Sequence, residues 1–166
     1  MKGKTIVATG ATSGIGEAAV LALAGLGVKE VRVFDSEPSK ATHLAARLEG
    51  RLRASVAFDV EDALRGAVGV VNASPVGMLP SLGTPVPDSL LHGGLWVADA
   101  VYSPLWTPLL TAARASGATV MTGRELAIYQ AADAFELFTG FQPSTIEMGI
   151  AFDGAMAKRC DAAHAA

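Results

Sequence analysis

The feature that most constrains this chain lies near its start. Thr5 to Thr9 is a short apolar run that ends directly on Gly10-Ala11-Thr12-Ser13-Gly14-Ile15-Gly16, and from Ile15 to Leu26 apolar residues recur densely enough for a buried helix of small side chains. That is strand, glycine turn, helix. So tight a turn, with other backbone pressed against it, requires residues without side chains. The free N–H groups and the dipole of the following helix favour an anion at that point, and Thr12 or Ser13 adds a hydroxyl donor. Val31 to Phe34 reads as a second strand ending at Asp35, 19 residues after Gly16. An acid there suits the ribose hydroxyls of a dinucleotide whose pyrophosphate sits on the turn. Gly10, Thr12, Ser13, Gly14, Ile15, Gly16 and Asp35 are therefore the first candidate cofactor contacts; the bland alternative is a purely structural turn.

Asp35 also bears on which dinucleotide is held. With Glu37 close by and no arginine following, a 2'-phosphate would meet one or two like charges. NAD is favoured over NADP, with Arg32 and Lys40 as the nearest basic residues that could soften the preference.

The remaining pattern repeats the first unit. Pro38 marks a helix start, and Ala41 to Leu48 has helical periodicity. Further strands are expected at Ala54 to Phe58, Ala67 to Val71, Leu95 to Ala98 and Ala118 to Met121. Glu125 to Thr139 is helical, Gly140 stops it, and Pro143-Ser144 opens a last helix. Strands alternating with helices imply an α/β, Rossmann-like, doubly wound and mostly parallel sheet with helices on both faces. The expected organisation is a dinucleotide-binding domain over 1–143, with a carboxyl-terminal helix and tail over 144–166 packing on the same domain. Ser74 to Gly94 holds four prolines and four glycines, and a loop of that length is usually functional.

Composition narrows the partners. Hydrophobic residues make up 51% of the 166-residue chain and charged residues 17%, which describes a folded, rather apolar protein. A net charge of -3 provides no basic stripe for a phosphate backbone, so nucleic acid is a poor partner. The lone Cys160 fits a reducing compartment. Met1 to Thr9 lacks signal-peptide features, and apolar runs such as Ala18 to Leu26 fall short of a membrane span. A cytoplasmic protein without membrane contact is expected. His43, His92 and His164 have no acid or cysteine at ligand spacing, so no metal role is assigned.

Two resemblances meet in this sequence. Thr9 to Gly16 is similar to the cofactor motif of the short-chain dehydrogenases, whose chemistry needs Tyr-x-x-x-Lys. The chain has two tyrosines, and the residues four beyond Tyr102 and Tyr129 are Trp106 and Asp133. Neither pair supplies the lysine. From Lys4 to Pro143, however, the chain resembles the shikimate/quinate dehydrogenases. Val71-Asn72-Ala73-Ser74-Pro75-Val76-Gly77-Met78 resembles that family's Asn-Ala-Thr-Pro-x-Gly-Met loop. Asp99 through Val101, Tyr102, Pro104 and Thr107 to Leu110 resembles its Asp-x-x-Tyr-x-Pro-x-x-Thr-x-Leu-Leu segment. Gly123 through Gln130-Ala131-Ala132 to Phe135 resembles its Gly-x-x-Met-x-x-x-Gln-Ala helix entry, with Leu126 in place of the methionine.

The resemblance implies cofactor contacts from Asn72, Ser74, Pro75, Val76, Gly77, Met78, Val101, Gly123 and Leu126. It implies substrate contacts from Tyr102 and Gln130 to a shikimate- or quinate-like acid. The bland readings are core packing for Tyr102 and Phe135, core and helix-start packing for Trp96 and Trp106, and a satisfied helix amide for Gln130. The glycine turn is one residue longer than the family's Gly-Ala-Gly-Gly-x-Gly. The family also places a substrate domain with a catalytic Lys-Asp pair ahead of this region. That domain is expected to be absent, so no catalytic residue is carried over. Hydride transfer between a nicotinamide and a polyol acid is then expected of a complete enzyme, with a complementing substrate domain or a homo-oligomer as open partners. A non-catalytic dinucleotide-binding or regulatory module is the rival reading.

Overall fold

The computed structural model describes residues 1–11, 14–80 and 82–164, with side chains to residue 159. Thr12, Ser13 and the side chains of Cys160 and His164 lie outside the described residues. The chain forms two compact units, Met1–Thr122 and Gly123–Ala166.

The first unit is built on a six-stranded sheet of β1 (Thr5–Thr9), β2 (Glu30–Phe34), β3 (Ala54–Val56), β4 (Gly69–Asn72), β5 (Trp96–Asp99) and β6 (Thr119–Met121). Their order is β3-β2-β1-β4-β5-β6, and every neighbouring pair is parallel. The order reverses at β1, so the crevice between the carboxyl ends of β1 and β4 is the switch point where such sheets take ligands.

Strand alternation divides the interior into two layers. Ile6 and Ala8 face the side where α1 (Gly14–Gly25) and α2 (Pro38–Arg47) contribute Val20, Leu23, Ala41 and Leu44. Val7 faces the opposite side with Val70 and Val97, against α3 (Val60–Leu64) and α4 (Pro108–Ala115), which contribute Leu64, Leu109 and Leu110. Because successive strand side chains point to opposite faces, an apolar Ile6-Val7-Ala8 buried on both sides is what a central parallel strand requires. Arg32, between Val31 and Val33, faces the α3 side and donates to the carbonyls of Asp62, Ala63 and Arg65 at 3.2, 3.1 and 2.6 Å. A cation thus closes the carboxyl end of that short helix.

In the first unit two helices begin on side-chain caps. Asp59 accepts from the Asp62 N–H at 2.7 Å to start α3, and Thr107, followed by Pro108, accepts from the Leu110 N–H at 3.3 Å to start α4. The long loop expected from Ser74 to Gly94 includes one 3₁₀ turn at Asp88–Leu90. Its Val86 and Leu91 are buried in the second layer, which anchors the loop. β4 and β5 each extend one residue beyond the expected end, to Asn72 and Asp99, because both polar side chains are satisfied at the strand ends.

The second unit holds α5 (Arg124–Thr139) and α6 (Thr145–His164). Gly140, at φ +73°, ends α5 in the left-handed conformation, as expected of a glycine stop. Arg124 joins the helices through a two-pronged pair with Asp153, both bonds 2.7 Å. Among the described residues no helix is long and apolar enough to cross a membrane.

Candidate functional site

The parallel register brings Phe34, Thr9, Asn72 and Asp99 level across four adjacent strands. Backbone bonds keep the row tight where the strands end: Gly10 N–H donates to Phe34, Ala73 N–H to Thr9 and Ala100 N–H to Asn72, at 3.3, 2.9 and 2.8 Å.

Beyond this row opens a cleft of about 340 Å³. Thr9 and Gly10 line its base, Asp35, Glu37 and Lys40 one wall, and Ser74, Pro75 and Val76 the other. Gly10 has φ +62°, and a Cβ there would lie 2.6 Å from the Cα, Cβ and backbone N of Ser74. A Cβ on Gly16 would meet Ala11 Cα at 2.5 Å and Ala73 Cβ at 2.8 Å. Both glycines are thus required for the turn and the loop after β4 to close on each other. Gly14 has φ +53° with open space around it, so its need is conformational alone. Ile15 is exposed.

The loop after β4 is organised by one amide. Asn72 is fully buried, and its Oδ1 accepts from the Thr9 hydroxyl at 3.0 Å, the Ser74 N–H at 3.0 Å and the Ser74 hydroxyl at 2.6 Å. Its Nδ2 donates to the Val76 carbonyl at 3.2 Å and to Asp99 Oδ1 at 2.9 Å. The donors and acceptors fix which end of the amide is which. Asp99 Oδ1 also accepts from the Val101 N–H at 3.0 Å, and Oδ2 accepts from the Thr107 hydroxyl at 2.7 Å. Burial pushes the Asp99 carboxyl above its ordinary range, while the donors from Thr107, Val101 and Asn72 pull the other way. Thr107 therefore serves two structures at once, capping α4 and holding Asp99.

The outer part of the loop is exposed. Pro75, Val76 and Met78 stand in solvent, Gly77 is buried at φ +97°, and a Cβ on Gly77 would lie 3.3 Å from the Gly83 carbonyl. Leu79 N–H donates to the Ser103 carbonyl at 3.1 Å, which ties this loop to the segment carrying Tyr102. Tyr102 is 45% exposed and Phe135 42%, so neither is a core aromatic. Val101 is buried with its N–H committed to Asp99. Trp96 is partly buried beside the first layer, whereas Trp106 is exposed with the Arg114 guanidinium 5.0 Å over its ring.

In the second unit Gly123 is buried just before α5, Leu126 is half-buried on its first turn, and Gln130 is exposed one turn later. Of the predicted residues, Gly10, Asp35, Ser74, Pro75 and Val76 line the one cleft, whereas Gly14, Ile15, Gly16, Asn72, Gly77 and Met78 are not among its lining residues. The positioning roles of Thr9, Asp99 and Thr107 were not assigned from sequence. The available signal was a polar residue ending each of three otherwise apolar strand or helix-start patterns. His43 and His92 are exposed, and among the described residues no group of three or more His, Cys, Asp or Glu could hold a metal ion.

No family model matches the chain. Individual proteins do. It is 44% identical over 140 residues to the shikimate dehydrogenase (NADP(+)) of Streptomyces avermitilis, a match covering 81% of this chain and 48% of that protein. It is 42% identical over 153 residues to the quinate/shikimate dehydrogenase (NAD(+)) of Corynebacterium efficiens, covering 89% and 54%. Among solved structures, the quinate dehydrogenase of Corynebacterium glutamicum in complex with NAD superposes with a TM-score of 0.82 at 39% identity, over 92% of this chain and 56% of that one. The shikimate 5-dehydrogenase of Thermus thermophilus in complex with NADP(H) and shikimate gives 0.77 at 35%, over 93% and 56%. The chain spans about half the length of the relatives it matches. Over that half, in sequence and in fold, the chain is similar to the shikimate/quinate dehydrogenases.

Proposed function

We propose that this chain is the dinucleotide-holding part of a shikimate/quinate dehydrogenase-type oxidoreductase, with NAD seated in the cleft at the carboxyl ends of β1, β2 and β4. The observation that carries the reading is the contact of Gly10 with Ser74, where a Cβ would lie 2.6 Å from the facing residue. It builds a narrow cleft whose one wall ends in Asp35. A side chain at Gly10 or Gly16 would force apart the two loops that frame the cleft, so the residues present fit a dinucleotide laid against bare backbone.

In this reading the turn from Gly10 through Thr12, Ser13, Gly14 and Ile15 to Gly16 offers its N–H groups to the pyrophosphate. Asp35 accepts from the adenosine ribose hydroxyls. Ser74, Pro75, Val76, Gly77 and Met78, held in place through Asn72, support the nicotinamide ribose, with Val101 near the ring. When bound, the nicotinamide supplies the hydride acceptor or donor for interconverting a secondary alcohol and a ketone. Tyr102 offers a phenol to the hydroxyls of an alicyclic polyol acid such as shikimate or quinate. Alcohol oxidation also requires a base for the hydroxyl proton. We assign that base to the part of the relatives that this chain does not span, as a complementing substrate domain. The lone cysteine and the nicotinamide chemistry support a cytoplasmic setting.

The test is calorimetry with NAD and NADP. The chain is expected to bind NAD more tightly, and Asp35→Ala to lose more affinity for NAD than for NADP. Binding of neither dinucleotide overturns the reading; equal losses in Asp35→Ala overturn the role of Asp35. The purified 166-residue chain is expected to bind NAD without oxidising shikimate or quinate, and turnover of either would overturn the assignment of the base.

A further inference from the structure

The wall of the cleft formed by the start of α2 has an unusual charge arrangement. The first turn of α2 has no acidic residue, and it carries Lys40 instead. A cation there opposes the helix dipole, which favours negative charge at that end. Left alone, Lys40 and the α2 N-terminus would make the adenosine end of the cleft attractive to a further phosphate.

Glu37 prevents this. Its Oε1 accepts from Lys40 Nζ at 2.6 Å. Its own N–H donates to Asp35 Oδ1 at 2.9 Å, a local turn that fixes Glu37 beside Asp35. Asp35, Glu37 and Lys40 all line the cleft, and Lys40 is the one cation among the described lining residues. Lys40 is held in its charged form by Glu37, mainly through their hydrogen bond. Arg32, the other basic residue close in sequence, is committed to the carbonyls at the end of α3 and to Glu30. Both residues that could soften a preference against a 2'-phosphate are therefore engaged elsewhere.

We infer that Glu37 is a specificity-determining residue: by holding Lys40 it withholds from a 2'-phosphate the only cation lining the described cleft, and so sets the preference for NAD. The inference rests on the reading that the adenosine ribose lies beside Asp35. It assigns the discrimination to two groups acting differently. Asp35 recognises ribose hydroxyls directly, whereas Glu37 acts through Lys40.

The two roles separate in a double-mutant cycle, with NAD and NADP affinities measured by calorimetry on the full chain at low salt. Glu37→Gln removes the charge but keeps the side-chain shape. It is expected to raise NADP affinity relative to NAD by about tenfold, a ratio that falls as added salt screens the exposed Lys40. Adding Lys40→Met to Glu37→Gln is expected to remove most of that gain. An unchanged ratio in Glu37→Gln overturns the inference. So does a gain that survives in the Glu37→Gln/Lys40→Met variant, which would make Glu37 a simple like-charge repeller. Wild-type chain that binds neither dinucleotide would overturn the site reading itself, a result distinct from a shifted or unshifted ratio.

Discussion

The side-chain amide of Asn72 donates to Asp99 at 2.9 Å across two adjacent parallel strands, at the level where both strands end. This single contact links the loop after β4 to the start of α4, because Asp99 is held in turn by Thr107. Asn72→Ala would leave the Ser74 N–H, the Ser74 and Thr9 hydroxyls and the Val76 carbonyl without their present partner. Losing such buried bonds together is expected to cost about 2–4 kcal/mol. Urea unfolding measures it. A change below about 0.5 kcal/mol would show that water replaces the amide at little cost and that Asn72 does not organise the loop.

Asp99 carries a pH signature of its own. Burial raises its folded-state pKa above the ordinary 3.8, so the fold binds the proton more tightly than the unfolded chain does. Its favourable contribution is complete below the ordinary value and is lost as pH rises through the raised folded value. Asp99→Asn cannot ionise. Its unfolding free energy, measured from about pH 4 to about pH 8, should therefore gain on the wild type's as pH rises across that raised value. Parallel curves for the two proteins would remove Asp99 as the titrating group.

How far the sequence revealed this arrangement depended on how local the cause was. The β1 strand, the glycine turn and α1 are set by neighbours within a few positions, and the boundaries of β1 are those read from the sequence. Asn72 and Tyr102 stood out through extended motifs. By contrast, the carbonyl partners of Arg32 lie 30 to 33 residues away, and nothing local distinguishes a basic residue facing a ribose from one closing a distant helix. α3 is only five residues long, too short for a helical period to register. Lys40 was legible as a nearby cation but not as a captured one, because an ion pair depends on rotamers that sequence does not specify.

Gly10 offers a sharper test of the cleft than any polar contact. Alanine there combines a left-handed φ of +62° with a Cβ 2.6 Å from Ser74. Either problem alone costs about 1–3 kcal/mol, and both act at the point where the turn meets the loop after β4. Gly10→Ala is expected to lower stability by at least about 2 kcal/mol and to abolish NAD binding at concentrations that saturate the wild type. Gly14→Ala, with its positive φ but open surroundings, is expected to cost only about 1 kcal/mol. If the two variants were equally stable, steric closure against Ser74 would not be what Gly10 provides.

Gly69 and Trp96 pair directly across β4 and β5, and a Cβ on Gly69 would overlap the indole. The indole therefore occupies the space that a side chain on the neighbouring strand would need, and its Nε1 is the one buried side-chain N or O among the described residues without a hydrogen-bond partner. Gly69→Ala cannot be absorbed by a small adjustment, because the ring packs against the first layer. Overpacking of this kind is expected to cost about 2–3 kcal/mol. Trp96→Val removes the ring and the unsatisfied N–H together, so the two changes should be strongly non-additive. In the Trp96→Val background Gly69→Ala is expected to cost at least about 1 kcal/mol less than in the wild type. Unfolding free energies of the four proteins decide the matter. Equal costs in both backgrounds would mean that the strand backbone, and not the indole, demands glycine at position 69.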